Sequence, residues 1–158
     1  MIRHSSNRNA AGAQRGFSLV EVLIALIIMS VGMLGIAGLY VQSMQAGRTS
    51  LFRHNAVTLA GDVADRIRAN PRAGVDYMGP GVDNSCVGMG IDCTPTQMAA
   101  NDILLWDQQA RDSLPNGAVT MQFDGGVTPP VYTITISWTE AGQDPPPSYT
   151  ITIPVFGF

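Results

Sequence analysis

Lysine is absent from the 158-residue chain, and all nine basic residues are arginines. No acidic residue precedes Glu21, whereas Arg3, Arg8 and Arg15 do. Proline is missing from Phe17 to Asn70, so nothing there breaks a helix by removing a hydrogen bond and clashing with the preceding turn. Histidine is limited to His4 and His54 and cysteine to Cys86 and Cys93, too few for a four-ligand zinc centre in one domain. Beyond Arg72, one arginine (Arg111) faces nine acidic residues, a formal charge of −8. Such a region repels phosphate, which disfavours nucleic acid as a partner. No histidine follows His54, no serine stands in a nucleophile elbow, and no phosphate-cradling glycine loop opens a helix. The sequence therefore points away from an enzyme and calls for no cofactor.

Against these absences stands one long apolar run, Val22 to Val41, interrupted among polar residues only by Ser30. Its 20 residues suffice to cross a bilayer as a helix. Arginines before it and acid after it orient it with the C-terminal part exported. The run is longer than the core of an ordinary signal peptide and passes through Gly35, Ala37 and Gly38 without a turn, so it reads as a retained span. With the run set apart, roughly 115 residues remain, enough for one small domain. Glu21 abuts the run, and a carboxylate beside hydrocarbon costs a few kcal/mol and is usually functional.

Past Val41 the pattern turns amphipathic. Phe52, Ala56, Leu59, Ala60, Val63 and Ile67 recur at steps of three and four. Arg53, Asn55, Thr58, Asp62, Asp65, Arg66 and Arg68 form the opposite face, and Pro71 stops the helix. Asp62 and Arg66 make a favourable i, i+4 pair. One continuous helix of about 54 residues would be roughly 80 Å long.

The stretch "RGFSLVEVLIAL" resembles the class III signal of type IV prepilins: a basic leader ending in Gly16, then Phe17, then a glutamate, Glu21, at the fifth position. The resemblance implies cleavage between Gly16 and Phe17 by a prepilin peptidase, N-methylation of Phe17, and a Glu21 carboxylate that neutralises a neighbouring subunit's N-terminal amine. A buried carboxylate is tolerable when so paired. "DRIRANPRAGVDY" (Asp65 to Tyr77) is similar to PilV-type minor pilins, the type IV pilus modification proteins. The implied organisation is a cleaved leader over 1–16, a transmembrane and assembly half-helix over 17–41, and a periplasmic head over 42–158. The implied fold is α+β, a long N-terminal helix packed on an antiparallel sheet. The implied function is a minor pilin that enters a type IV pilus or primes its assembly. Its partners would be other minor and major pilins through the helix, the prepilin peptidase, and the inner membrane before assembly. A minor pseudopilin of a type II secretion system is the alternative. Many major pilins carry a proline near the depth of Gly38, which this chain lacks. Gly32, Gly35 and Gly38 fall near one helix side, suited either to close helix approach or to loosening.

In the exported part, Gly74 to Pro95 reads as an irregular loop. Cys86 and Cys93 within it read as a periplasmic disulfide. Asp76, Asp83 and Asp92 lack the spacing of a calcium loop and read as solvated carboxylates, with no metal expected. Thr94, Pro95 and Gln97 announce a capped helix whose Ala99, Ile103, Trp106, Ala110 and Leu114 face a core, with Trp106 as its anchor. Three alternating runs follow, around Val119–Phe123, Tyr132–Trp138 and Tyr149–Val155, and predict an antiparallel meander with one buried face.

Overall fold

The computed structural model describes residues 16–88 and 91–156; residues 1–15 of the expected leader lie outside them. The proline-free stretch forms a single α-helix, α1 (Leu19–Ala69). Contacts divide the chain into two units at Met44 and Gln45. In the first unit every described residue is exposed, and no residue in the most apolar window of α1 is buried. Ser30, the only serine or threonine in the run, satisfies itself by donating to the Leu26 carbonyl (2.7 Å).

The second unit is built on the rest of α1, a second helix α2 (Pro95–Ser113) and strands β1 (Ala118–Asp124), β2 (Val131–Ser137) and β3 (Ser148–Pro154). The strands form one antiparallel sheet in the order β1-β2-β3. Register aligns the inward residues in rows: Val119, Ile136 and Tyr149; Met121, Ile134 and Ile151; Phe123, Tyr132 and Ile153. One outward row is wholly hydroxylic, with Thr120, Thr135 and Thr150 side by side. Thr135 and Thr150 hydroxyls bond at 3.0 Å. The β-branched, alternating composition suits a sheet with one solvated face.

The sheet's inner face, α2 and the stripe of α1 share one core. Ala56, Leu59, Ala60, Val63 and Ile67 are buried there, joined by Ala64, and Phe52 packs at the margin. Trp106 is the largest fully buried side chain, confirming its place as anchor. It stacks on Tyr77 (centroids 5.6 Å apart), which meets Tyr132 edge-on at 6.1 Å. Burying each large side chain contributes about 1.5–3 kcal/mol, and such aromatic pairs add about 0.5–1.5 kcal/mol.

Two segments depart from the sequence expectation. Pro71–Met78 is not irregular from Gly74 onward but a 3-10 segment broken at Gly74, where φ is 49°. Pro71 at its start has no N–H to lose, and Tyr77 needs this turn to reach Trp106. The following loop is clamped to α2: Val82 N–H donates to the Ala100 carbonyl (2.9 Å) and Asn84 N–H to the Asn101 side chain (3.2 Å). A Cβ at Gly81 would lie 2.8 Å from the Leu104 nitrogen, so only glycine allows this approach.

Candidate assembly segment and head cluster

Ser18 opens α1, its carbonyl accepting from the amides of Glu21 (3.0 Å) and Val22 (3.3 Å). Gly16 and Phe17 precede the helix outside regular structure. Phe17 is 84% exposed, and a Cβ at Gly16 would meet nothing within 4 Å. A peptide bond displayed this openly is accessible to a protease. Glu21 sits in the first turn, where a carboxylate complements the helix dipole. Among the described residues its carboxylate has no hydrogen-bond or ion-pair partner, and it lines a surface groove with Phe17, Ala25 and Met29. An apolar helix that presents one unpaired carboxylate offers a charge for something outside the subunit. Gly32, Gly35 and Gly38 are equally open, with no side chain or backbone near enough to require glycine.

The head carries a second polar constellation, one that no sequence pattern announces. Arg66 bonds Asp62 through Nε (3.0 Å), the expected i, i+4 pair, but its Nη1 also reaches Asp102 Oδ1 on α2 (3.0 Å). The Asp102 side chain is only 4% exposed. Its Oδ2 accepts from Tyr77 Oη (3.3 Å), which in turn accepts from Asn70 Nδ2 (3.3 Å). Trp106 Nε1 donates to Asp62 Oδ2 (3.1 Å) and Asn70 Nδ2 to the Pro95 carbonyl (2.9 Å). Every group in this chain of bonds is satisfied, which a buried carboxylate requires.

The electrostatics follow from burial and pairing. Desolvation opposes the charge on Arg66, but its bonds to Asp102 and Asp62 outweigh that and hold its proton more tightly than usual. Burial pushes the Tyr77 phenol upward, opposed by Asn70 and reinforced by Asp102. Burial and then the Asp76 charge push Tyr132 to about 12, and its hydroxyl donates to the Gly74 carbonyl. At the other end of the head, bonds from Trp138 Nε1 and Thr49 Oγ1, both 2.7 Å, hold the Glu140 carboxyl below the usual range.

Cys86 and Cys93 are bonded, with Cα atoms 5.8 Å apart. The Cys86 amide donates to Asn101 Oδ1 (3.4 Å), so the ring is tied to α2. The three loop aspartates do not converge. Asp76 accepts from Thr96 Oγ1 (2.6 Å), and Asp83 caps its own turn at the Ser85 amide (2.8 Å). Among the described residues no group of three His, Cys, Asp or Glu side chains is placed to hold a metal.

A family model described as type IV pilin Tt1218 matches residues 38–104, and one described as the prokaryotic N-terminal methylation motif matches residues 12–37. The first spans the head portion of α1, the 3-10 segment, the disulfide ring and the opening turns of α2. The second spans Gly16, Phe17 and Glu21. No curated protein and no solved structure matches the chain significantly.

Proposed function

We propose that this chain, which belongs to the type IV pilins, is a minor pilin of the pilus-modification type, processed between Gly16 and Phe17 and methylated on Phe17. The chain does no chemistry of its own in this reading. A prepilin peptidase removes the leader, the apolar half of α1 holds the protein in the inner membrane with the head in the periplasm, and assembly lifts it into the fibre. The observation that carries the reading is Glu21: a carboxylate with no partner among the described residues, at the start of a stretch of α1 whose described residues up to Met44 are all exposed.

Leaving hydrocarbon for a bundle of like helices trades a lipid surface for a protein one, so apolar contact alone discriminates poorly between registers. A charge pair does discriminate. Glu21 facing a neighbour's Phe17 amine is satisfied in one axial register and unpaired in the others, which is how a buried pair can specify arrangement. The chain then enters or primes a pilus through its helix and shows its acidic head outside.

Deleting the chain and counting surface pili while assaying export of folded proteins tests the assignment. Loss of pili with export intact is expected. Intact pili with blocked export would make the chain a pseudopilin of a secretion system instead.

A further inference from the structure

Asn116 and Gly117 stand in the turn between α2 and β1, and Asn116 is the only asparagine in the chain that glycine follows. Such a step is chemically labile. Glycine has no side chain to hinder its own amide nitrogen from attacking the carbonyl carbon of the preceding asparagine side chain. Asn116 is exposed and lies in the left-handed region (φ 49°), whereas Gly117 is buried. The Gly117 N–H donates to the Leu114 carbonyl (3.0 Å), and Asn116 Nδ2 donates to Thr139 Oγ1 (3.0 Å) on the connection between β2 and β3. Nucleophile and leaving group are thus both engaged elsewhere. Thr139 is fastened to the same turn twice more, its N–H (2.9 Å) and its hydroxyl (3.2 Å) both donating to the Pro115 carbonyl. Beside Gly117 stands the Ala110 carbonyl, which leaves no room even for a Cβ.

We propose that Asn116–Gly117 is a gated deamidation site, unreactive while its turn is docked on Thr139 and converted to aspartate and isoaspartate when that contact opens. The Gly117 nitrogen gives its proton to solvent base and bonds to Asn116 Cγ, closing a cyclic imide, while the side-chain nitrogen leaves as ammonia. Water then opens the ring. Breaking the new bond to Cγ gives aspartate. Breaking the bond to the original backbone carbonyl gives isoaspartate, whose main chain runs through the former side chain and is longer by a carbon. Water is the only co-reactant. Ring closure requires the Gly117 amide to leave the Leu114 carbonyl and the turn to swing, and a buried site resists both. Either product adds a negative charge to a region that already carries −8. Isoaspartate also lengthens the backbone where the Ala110 carbonyl leaves no space, so the turn cannot redock and the opening is one-way. The chemistry is the same whether or not the chain enters a pilus.

Peptide mapping of the full-length protein, held in detergent micelles in warm, mildly alkaline buffer, tests this, with the same protein in denaturant as the open reference. Conversion at Asn116 is read from the mass gain of an amide becoming an acid, and isoaspartate from labelling by isoaspartyl methyltransferase. Asn116 should convert at least about tenfold more slowly in the folded protein than in denaturant. Thr139→Val should speed conversion in the folded state about fivefold, the loss of one hydrogen bond, and change nothing in denaturant. Asn84, whose amide donates to the Val82 and Gln97 carbonyls, should convert equally in wild type and variant. Circular dichroism checks that the variant folds; the comparison of folded with denatured wild type holds even if it does not. Equal rates at Asn116 in folded and denatured wild type overturn the gate, as does a folded Thr139→Val that converts at the wild-type rate. A parallel rise at Asn84 overturns it too, since the head would then be loosened generally. No conversion at Asn116 in denaturant overturns the site itself.

Discussion

Arg66 on α1 and Asp102 on α2 are joined at 3.0 Å, and the aspartate is almost wholly removed from water while the arginine is 42% exposed. The pair crosses 36 residues of sequence and fastens the second helix to the first. Arg66→Ala would leave Asp102 buried with only the Tyr77 hydroxyl. We predict a loss of about 2–3 kcal/mol, below the range for fully buried pairs because the guanidinium is partly solvated. Asp102→Asn should cost less, since the amide can still accept from Tyr77. Denaturant unfolding of the three proteins measures both; equal stability of wild type and Arg66→Ala would show that the pair does not hold the helices together.

The same neighbourhood predicts an alkaline limit. Tyr132 ionises near 12 in the folded head, against an ordinary value of 10, and Tyr77 is shifted in the same direction. The folded state therefore binds these protons more tightly than the unfolded chain. Their contribution to stability is complete below pH 10; the part from Tyr132 is lost as pH rises through about 12, and the part from Tyr77 at still higher pH. Tyrosinate absorbance should rise later in native protein than in protein unfolded in denaturant. Coincident titration curves would contradict the burial of these phenols.

Much of this is legible in the sequence, and the part that is not has a common cause. The α1 stripe, the Thr94–Gln97 capping box and the three strands are periodic or local signals, and all appear. Arg66 reads as part of the solvated face, correctly for Asp62, but its second partner lies on another element and no local pattern names it. A clue exists: Asp102 stands three residues after Ala99 and four before Trp106, on the apolar side of α2. A charged residue in a buried stripe asks for a partner. The 3-10 form of Pro71–Met78 is hidden because Gly and Asp composition does not distinguish a loop from a tight turn. Gly16, Phe17 and Glu21 lie in a linear motif that the N-terminal methylation model also covers, and a linear motif needs no tertiary packing to be legible.

Glycines separate into two kinds, which substitution to alanine should reveal. At Gly117 a Cβ would collide with the Ala110 carbonyl oxygen, a backbone atom that cannot swing away as a flexible side chain could. Gly117→Ala should destabilise the head by about 1–3 kcal/mol or prevent folding. Gly32, Gly35 and Gly38 meet nothing, and alanine there should favour the helix by up to about 1 kcal/mol each. If those three also admit a neighbouring helix, the triple variant will be stable in the membrane yet poorly incorporated. Thermal melts and pilus content read the two effects apart.

Reducing the Cys86–Cys93 bond, or replacing both residues by serine, should lower stability by about 2.5 kcal/mol from the entropy of so short a loop. The loss should centre on the loop from Gly81 onward and the start of α2, where Asn84 and Cys86 amides share the Asn101 side chain. Hydrogen exchange should show faster opening at Asn84 and Cys86 while the β2 amides stay protected. Uniform acceleration across the head would instead mean that the ring supports the whole fold.

The central claim is that Glu21 draws this chain into a pilus by pairing with a neighbour's processed N-terminus. Quantitative mass spectrometry of sheared pili and of the remaining membranes, for wild type and Glu21→Gln, tests it most directly. Wild-type protein should be found in the sheared fraction as a chain beginning with N-methylated Phe17. Glu21→Gln should be cut and methylated in the same way but stay in the membrane, because the incoming amine meets no counter-charge. Wild-type levels of Glu21→Gln in sheared pili, or a wild-type chain in the pili that still carries its leader, would contradict the account.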